Sequence, residues 1–372
     1  MQQDASSRFQ PFEVIAKTRE SETITSFTLA PRNKDHWRPF EAGQFLTIRI
    51  PDGAGGHVFR NYTVSSSPRQ SGTYRITVKR EAAPSDQLPQ GLSSCWLHDE
   101  VEPGAVLEID TPRGAFKLDR ESTRPVVLLS GGVGLTPTVS MLHVLARETD
   151  RPVWFIHACD SMTVQALRDE VEELAKVRSG ITVHVCHRFA SEDDMQAGRC
   201  HSTGFLSREV LQKLLPLDDY DIYMCGPPPF MKAVYGILTG LGVRKERIAY
   251  EFFGPANLLS ENETQAAKLD APVTPKVAGA TDAATGNDAI RIVLQKSGRE
   301  LVWTKASISL LDCLEANGIE PEFSCRAGIC GTCEQGLVAG EVDYFEEPLD
   351  DVPQRRVLLC CTKPKTSVVL DL

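Results

Sequence analysis

Three cysteines near the carboxyl end of the chain, Cys325, Cys330 and Cys333, stand at C-x4-C-x2-C spacing. Plant-type [2Fe–2S] sites have this spacing, and their soft thiolates hold iron and sulfide. Gly328 and Gly331 allow the backbone to fold tightly around such a site, with N–H groups that offset its negative charge. A structural zinc site is the alternative, but zinc sites more often use paired C-x2-C units. The spacing therefore favours an iron–sulfur cluster.

Two adjacent cysteines, Cys360 and Cys361, are the candidates for the fourth ligand. The segment 357–360 reads V-L-L-C, which resembles the V-L-x-C pattern near the end of plant-type ferredoxins. The resemblance implies that Cys360 is the ligand and that Cys361 is its neighbour. The predicted cluster ligands are therefore Cys325, Cys330, Cys333 and Cys360.

The length and charge of the chain limit the classes of protein it can belong to. With 372 residues it is too long for one core, so two or three domains are expected. A net charge of −10 argues against nucleic acid and anionic membranes as partners. No apolar stretch has the length of a membrane span, and residues 1–7 lack the pattern of an export signal. Eleven cysteines, several of them at metal spacing, fit a reducing cytoplasm better than a disulfide scaffold.

Hydrophobic periodicity changes along the chain. Four strand-like segments separated by Gly and Pro predict a small antiparallel barrel, at 12–17, 24–29, 45–50 and 74–79. From Pro125, predicted strands at 126–130, 153–157, 181–187 and 221–225 alternate with predicted helices at 139–147, 164–177, 208–215 and 230–241. This alternation indicates a parallel sheet of the nucleotide-binding kind. Residues 260–286 have the composition of a flexible linker. A strand at 290–295 and a helix at 310–316, ended by Gly318, precede the cysteine loop.

The barrel segment contains an R-x-Y-T-x-x-S pattern at 60–66, shortly after the stretch 39–45, which is typical of flavin barrels. With this pattern the chain resembles the ferredoxin–NADP reductase-like family of flavoproteins. The resemblance implies that Arg60 binds a flavin phosphate, that Tyr62 packs on the isoalloxazine ring, and that Thr63 approaches flavin N5. Ser66 joins them as a cofactor-binding residue. A guanidinium forks onto phosphate, and an aromatic face supports a planar ring. In isolation, the same residues could form an ordinary strand with a surface arginine.

A second flavin element is similar to the G-x-x-S-x-x-L segment of the family, beginning at Gly91. The resemblance implies that a helix N-terminus here meets the flavin phosphates, with Gly91, Ser93 and Ser94 in contact. A plain capped helix is the alternative. Together with the stretch 112–118, this segment favours FAD over FMN. The related phthalate dioxygenase reductase type uses FMN and also has a C-terminal ferredoxin.

Two motifs resemble the nicotinamide-binding elements of the same family. The segment 131–137 matches its G-G-x-G-x-T-P turn, although it lacks the third glycine of the G-x-G-x-x-G fingerprint. The resemblance implies dinucleotide contacts from Gly132, Gly134 and Thr136; a tight turn alone would also explain the glycines. The C-G-P element implies that Cys225, Gly226 and Pro227 lie at the nicotinamide, with Cys225 bordering the ring during hydride transfer. A buried inert cysteine is the alternative.

Three further positions complete the predicted site. The segment 250–255 is similar to the one that closes the reductase module. The resemblance implies that Glu251 is a polar neighbour of the flavin, and that Phe253 is an apolar cover. The catalytic candidates are therefore Thr63, Cys225 and Glu251. Asp160 stands where many relatives have arginine. Its carboxylate can accept from a ribose 2′-hydroxyl but would repel a 2′-phosphate, which favours NADH over NADPH. The alternative for Asp160 is a solvated loop residue.

Other suggestive groups receive ordinary interpretations. The pairs Cys186-His187 and Cys200-His201 lack the C-x-H…C-x2-H form of a Rieske centre, so we do not expect them to bind metal. The acidic stretch 346–351 is interpreted as a solvated turn, with contact to a partner left open.

The resemblances together imply a multidomain chain. They predict an antiparallel β-barrel FAD domain (8–121), an α/β parallel-sheet NAD domain (122–258), a flexible linker (259–287) and an α+β, β-grasp [2Fe–2S] ferredoxin domain (288–372). NADH would deliver a hydride to FAD, and the cluster would pass the electrons on singly. No globin or Rieske motif is visible, so the expected acceptor is a separate protein. A Rieske-type oxygenase or demethylase component is expected, with a hybrid-cluster protein as an alternative. A redox-sensing or electron-storage module that does not catalyse turnover is the alternative from a different class of function.

Overall fold

The structure, a computed structural model, describes residues 9–51, 56–83, 90–252, 290–304, 307, 309–319, 321–323, 333–345, 348 and 352–372. Two units are distinguished, Met1–Glu251 and Phe252–Leu372. The predicted linker, 259–287, lies outside the described residues.

The first unit begins with six antiparallel strands in the order β4-β3-β6-β1-β2-β5. They are β1 (Gln10–Arg19), β2 (Ile24–Pro31), β3 (Phe45–Pro51), β4 (His57–Thr63), β5 (Tyr74–Lys79) and β6 (Val106–Ile109). A bridge between Val64 and Ile76 links the two outer strands, so the sheet closes on itself. Its interior is filled by alternate side chains such as Phe27, Leu46 and Ile48, as the sequence pattern predicts. Helix α1 (Leu92–Glu100) lies between β5 and β6 in the chain.

The rest of this unit is a six-stranded sheet in the order β10-β9-β8-β7-β11-β12. Its strands are β7 (Val126–Gly131), β8 (Val153–Cys159), β9 (Ile181–His187), β10 (Ser202–Thr203), β11 (Asp221–Gly226) and β12 (Ile248–Phe252). Its helices are α2 (Leu135–Glu148), α3 (Arg168–Lys176), α4 (Glu192–Gln196), α5 (Arg208–Leu214) and α6 (Pro228–Gly240). Strands β7 to β11 pair in parallel, and the strand order reverses at β7. Ligands bind at such a switch point in open α/β sheets.

One predicted helix begins later than the sequence pattern indicates. The prediction placed it at 164–177, but α3 begins at Arg168. The backbone of Leu167 is left-handed, with φ of 52°. A right-handed helix cannot pass through a left-handed residue, so α3 can begin only after Leu167.

The barrel and the parallel sheet of the first unit are joined by polar contacts, most of them partly buried. Arg75 on β5 forms two hydrogen bonds to the Glu170 carboxylate on α3, at 2.7 and 2.9 Å. Glu170 also forms a 2.6 Å hydrogen bond with Nε2 of His143 on α2. Ser140 on α2 donates through Oγ to the carbonyl oxygen of Ser66 at 3.0 Å.

The pH dependence of stability should report the Glu170 contacts. Burial alone would raise the pKa of this carboxyl, but hydrogen bonds from His143 and Arg75 outweigh burial and lower the pKa from 4.5 to about 2. A lowered folded-state pKa stabilises the fold above pH 4.5, and this contribution is lost as the pH falls towards 2. We expect Glu170→Gln to remove up to about 3 kcal/mol of this pH-dependent stability. Urea unfolding across the acid range measures it.

Glu172, on the same helix, provides the control, because its carboxylate pairs with Arg168 and is more exposed. Glu172→Gln should keep the wild-type acid profile. A Glu170→Gln profile that runs parallel to the wild-type curve down to about pH 2 would contradict the assignment.

The second unit contains a five-stranded mixed sheet in the order β14-β13-β19-β15-β17, and a two-stranded sheet of β16 and β18. The strands are β13 (Arg291–Leu294), β14 (Glu300–Val302), β15 (Glu334–Ala339), β16 (Val342–Tyr344), β17 (Arg356–Leu358), β18 (Thr362–Pro364) and β19 (Val368–Leu370). Helix α7 (Leu310–Ala316) begins with a capping box between Ser309 and Asp312. The helix and the sheet share one core that includes Ile292, Leu314 and Leu359.

Candidate functional site

Strand β4 carries the R-x-Y-T pattern to the end of the barrel. Arg60 is exposed, and its guanidinium donates to the carbonyl oxygen of Phe59 at 2.8 Å. Tyr62 is half-buried on the same face of the strand, because side chains alternate along it. Burial raises the pKa of the Tyr62 phenol, and the nearby Arg60 charge opposes the rise only in part. An exposed cation thus lies beside a neutral aromatic ring. A cofactor with a planar ring and a phosphate group needs both, because the cation binds the phosphate and the aromatic face supports the ring.

Two buried hydroxyl groups in this region have no hydrogen-bond partner within the described part of the chain. They are Oγ1 of Thr63, at the end of β4, and Oγ of Ser93, in the first turn of α1. A buried hydroxyl without a hydrogen-bond partner destabilises the fold. Such hydroxyls are therefore expected where a bound ligand supplies the missing hydrogen bonds. Both are positions that the sequence predicts to face flavin. The residues present therefore fit the cofactor.

The neighbouring predicted residues have local hydrogen-bonding roles. Ser94 donates to the carbonyl oxygen of Gly91 at 3.3 Å and accepts from the Glu81 N–H at 3.2 Å. Ser66 accepts through Oγ from the Arg75 N–H at 3.2 Å. A side chain at Gly91 would lie 2.6 Å from Oγ of Ser94. Of the two serines, Ser93 therefore has its hydroxyl available for a phosphate.

The glycine-rich turn and the C-G-P element meet at the strand-order reversal. A Cβ on Gly134 would lie 2.3 Å from the carbonyl oxygen of Cys225, so glycine allows the turn to pack against β11. Gly132 has a φ of 53° and open space where a Cβ would project. Thr136 donates through Oγ1 to the carbonyl oxygen of Val133 at 3.2 Å, at the start of α2. The turn is thus held against the strand while its outer edge stays open.

Cys225 and Glu251 are both buried and influence each other electrostatically. Burial, and then the Glu251 charge, raise the pKa of the Cys225 thiol well above its ordinary value. Both effects favour the protonated thiol at this position. Gly226 packs closely on Gly131, and Pro227 caps α6, which begins at Pro228. Phe253 lies outside the described residues.

Asp160 follows β8 and is exposed, with Oδ1 lying 3.9 Å from Nη1 of Arg188. The Arg188 guanidinium lies 4.7 Å from the ring centroid of Phe189 and 4.7 Å from that of Phe205. Sequence reasoning did not identify these three residues. The sequence signal that could have identified them is position, because Arg188 directly follows β9 at the carboxyl edge of the sheet.

The predicted cluster ligands are only partly described. Cys325 and Cys330 lie outside the described residues, whereas Cys333 and Cys360 are buried. The carbonyl oxygen of Cys333 accepts from the Leu359 N–H at 3.2 Å, because β15 and β17 pair with Glu334 opposite Leu358. The sheet therefore brings Cys333 beside the segment that contains Cys360. Soft, buried thiols from two distant segments fit an iron–sulfur cluster.

Among the described residues, no group of three or more His, Cys, Asp and Glu side chains could hold a metal ion. The side chains of the two Cys-His pairs take part in local bonds instead. His201 accepts through Nδ1 from the Val185 N–H at 3.0 Å, and Nε2 of His187 lies 2.9 Å from Oε1 of Gln165. Cys186 donates to the carbonyl oxygen of Gly204.

Comparison with known families matches all three parts of the chain. Residues 11–118 match the family model of the oxidoreductase FAD-binding domain, and residues 128–235 match that of the oxidoreductase NAD-binding domain. Residues 292–365 match the 2Fe-2S iron-sulfur cluster binding domain. No helix in the described parts of the chain is long and apolar enough to cross a membrane.

Individual relatives match either the first two domains or the whole chain. The flavohemoprotein of Bacillus thuringiensis subsp. konkukian is 39% identical over 250 residues, which span 67% of this chain and 61% of the relative. The FAD/NAD-binding domain of a Vibrio cholerae nitric oxide dioxygenase is 36% identical with a TM-score of 0.58, covering 66% of this chain and 99% of that one. Phthalate dioxygenase reductase shares the fold over 98% of both chains, with a TM-score of 0.62 and 24% identity.

The first unit combines a barrel of the flavin-binding kind with a parallel sheet of the nicotinamide-binding kind. Two buried hydroxyls have no partner among the described residues, and the glycine-rich turn packs closely on β11. These features define a pyridine-nucleotide-dependent flavoprotein oxidoreductase. The chain belongs to the ferredoxin–NADP reductase-like flavoprotein reductases that carry a C-terminal [2Fe–2S] ferredoxin domain. Its cofactors are accordingly FAD, NADH and a [2Fe–2S] cluster. The predicted fold classes of the three domains are confirmed.

Proposed function

We propose that this protein is an NADH-dependent electron-transfer reductase, which passes electrons through FAD and a [2Fe–2S] cluster to a separate protein. The observation that carries the proposal is the meeting of the flavin and nicotinamide motifs within one unit, in a chain that also carries a ferredoxin domain. We also propose the domain boundaries 8–121, 122–258, 259–287 and 288–372. The regions matched to the three families lie inside the first, second and fourth of these segments.

FAD, when bound, exchanges two electrons with nicotinamide and one electron with an iron–sulfur cluster, which gives a reason for combining these domains. The Arg60 guanidinium would hold a flavin phosphate, and Tyr62 would support the ring system. The Thr63 hydroxyl, which has no partner among the described residues, would bond the ring near N5, with Ser66 beside it. The N-terminus of α1 would take the remaining phosphate through Ser93, with Gly91 and Ser94 shaping the turn.

The carboxyl edge of the parallel sheet would hold the nicotinamide dinucleotide. Gly132, Gly134 and Thr136 form the turn, and Gly226 and Pro227 form the facing wall. Cys225 would border the nicotinamide as a neutral thiol, because its raised pKa keeps it protonated. Glu251 and Phe253 would close the flavin side. Cys325, Cys330, Cys333 and Cys360 would hold the cluster.

Visible absorption of the purified, reconstituted protein before and after anaerobic NADH tests the proposal. Flavin and cluster bands should both bleach, and an artificial one-electron acceptor should support continuous NADH oxidation. A colourless protein would refute the proposal. Bleaching that stops at one equivalent, without turnover, would favour the redox-sensing alternative.

We propose a Rieske-type oxygenase or demethylase component as the acceptor, since phthalate dioxygenase reductase shares this three-domain fold. A hybrid-cluster protein is the alternative acceptor. Stopped-flow mixing of the NADH-reduced protein with each purified candidate distinguishes them. Reduction of the Rieske centre at a rate that matches turnover supports the first assignment.

The choice between NADH and NADPH should depend on Asp160. Its carboxylate would accept from a ribose 2′-hydroxyl and repel a 2′-phosphate, and it lies beside Arg188. We expect Asp160→Asn to raise the ratio of kcat/KM for NADPH over NADH by roughly tenfold or more, since Arg188 could then meet a 2′-phosphate. Steady-state kinetics with both nucleotides measure the ratio. Asp193→Asn, an equal charge change at an exposed position on α4, should leave the ratio unchanged. An unaltered ratio in Asp160→Asn would remove Asp160 from the nucleotide site.

A further inference from the structure

The Arg75 guanidinium connects two parts of the first unit through two adjacent edges of its plane, which share Nη2. One edge holds Ser65: Nε donates to its Oγ at 3.1 Å, and Nη2 donates to its carbonyl oxygen at 2.6 Å. The other edge holds the Glu170 carboxylate: Nη1 and Nη2 donate to its two oxygens at 2.7 and 2.9 Å. Four hydrogen bonds therefore fix the orientation of one planar group.

The two residues joined in this way belong to different halves of the candidate site. Ser65 follows Thr63 closely in the flavin-binding segment, which leaves the barrel at the end of β4. Glu170 lies on α3 of the parallel sheet and is also held by His143 on α2. Helix α2 begins directly after the glycine-rich turn, and its Ser140 donates to the carbonyl oxygen of the adjacent Ser66. The flavin segment is thus tied to the helices behind the nicotinamide turn.

This ion pair is better shielded than the Arg49–Glu108 pair of the barrel. The side chains of Arg75 and Glu170 are 20% and 23% exposed, against 33% and 46% for Arg49 and Glu108. Solvent and salt weaken an exposed pair, whereas a shielded bidentate pair keeps a defined geometry. The barrel is further connected by a chain of buried hydroxyls, in which Oγ of Ser65 lies 2.8 Å from Oγ1 of Thr77. Movement of Ser65 is therefore resisted from both sides.

We propose that Arg75 is a positioning residue for hydride transfer, with Glu170 as its anchor: it sets the separation between the flavin-binding segment and the nicotinamide-binding turn. The inference rests on the proposed function, because the two reactants would be held by these two parts of the unit. Hydride transfer requires the reacting atoms within a narrow distance, and a misplacement of about 1 Å can cost roughly a hundredfold in rate. Lysine would keep the charge but could not hold Ser65 and the carboxylate at once.

Arg75→Lys in the full-length holoprotein provides the test, with two readouts. In anaerobic single-turnover mixing, the limiting rate of flavin bleaching by NADH should fall roughly 10- to 100-fold. The NADH concentration at half-maximal rate and the FAD content should stay as in the wild type. In the second readout, independent of activity, amide hydrogen exchange at Ser65 and Ser66 should be faster than in the wild type.

Four further variants complete the design. Arg49→Lys changes an ion pair between β3 and β6, two strands of the barrel, and should behave as wild type. Glu170→Gln should repeat the Arg75→Lys effects, and the double variant should be no worse than either single change, because both remove the same link. If Arg75→Lys folds poorly, Ser140→Ala removes the neighbouring contact and should show the same two effects to a smaller degree.

The outcomes separate this inference from the proposed function. Wild-type protein whose flavin is not bleached by NADH refutes the proposed function and the positioning role that rests on it. Wild-type protein that bleaches normally, together with an Arg75→Lys variant that bleaches at the same rate, refutes the positioning role alone. Faster exchange at Ser65 with an unchanged bleaching rate also refutes it, since the link would then be merely structural.

Discussion

Replacing Cys360 with serine is expected to abolish the visible absorption of the iron–sulfur cluster, whereas replacing Cys361 should preserve it. The two cysteines are adjacent and both are buried, so burial does not separate them. Sγ of Cys361 lies 3.7 Å from the carbonyl oxygen of Leu358, to which it donates. The V-L-L-C pattern at 357–360 ends at Cys360 and favours it as the ligand. The pairing of β15 with β17 places Leu359, directly before Cys360, at the backbone of Cys333. Cys360 is therefore the thiol predicted to complete the ligand set.

Visible absorption and iron and sulfide content of both variants, after identical anaerobic reconstitution, decide the matter. Serine is nearly isosteric with cysteine, so the fold of the second unit should survive, and flavin content should be unchanged in both proteins. Cys313→Ser supplies a third comparison, because Cys313 is buried on α7 and is not a predicted ligand. Loss of the cluster in Cys361→Ser, with retention in Cys360→Ser, would reverse the assignment.

Replacing Gly134 with alanine should destabilise the first unit more than the same change at Gly132. Gly134 has a φ of −61°, which alanine adopts without strain, so its requirement for glycine is steric. The new Cβ would lie 2.3 Å from the carbonyl oxygen of Cys225, and backbone on both sides leaves no side chain that can move. Overpacking costs about 1–3 kcal/mol and occasionally more, and a site walled by backbone is expected at the upper end of that range. Gly132→Ala meets no atom within 4 Å, and its φ of 53° costs about 1 kcal/mol.

Urea unfolding of the two variants gives the comparison, with near-ultraviolet circular dichroism as the probe of the first unit. The Gly134 variant should also need more NADH for half-maximal flavin reduction, because displacing the turn separates it from Cys225. Equal stability of the two alanine variants would show that the turn does not pack on β11 as described.

Sequence periodicity predicted the longer elements well. The strand-like segments 24–29, 45–50 and 74–79 lie within β2, β3 and β5, and the helix predicted at 310–316 has the bounds of α7. Gly318 adopts the left-handed conformation expected after that helix, with φ of 72°. Strands β6 and β10 were not predicted, because four and two residues are too few to show an alternation.

The predicted residues of the candidate site come largely from short motifs. A cysteine spacing, an R-x-Y-T pattern and two glycine-containing turns each specify residue types that a cofactor requires, and those requirements act over a few adjacent residues. The motifs could not reveal which serine of the 93–94 pair has its hydroxyl available. That difference arises from Glu81, whose N–H is bonded by Ser94 while Oγ of Ser93 has no partner in the described chain.

The sequence by itself therefore determined the three domains, their order and the cofactors they hold, because hydrophobic period and motif spacing are local properties of a chain. Only the tertiary structure decided how the motifs meet. The contact of Gly134 with Cys225, and the link from Ser65 through Arg75 to Glu170, join residues that are far apart in the chain. Such contacts depend on strand order and on the packing of helices against the sheet, and the spacing within a single motif carries no record of either.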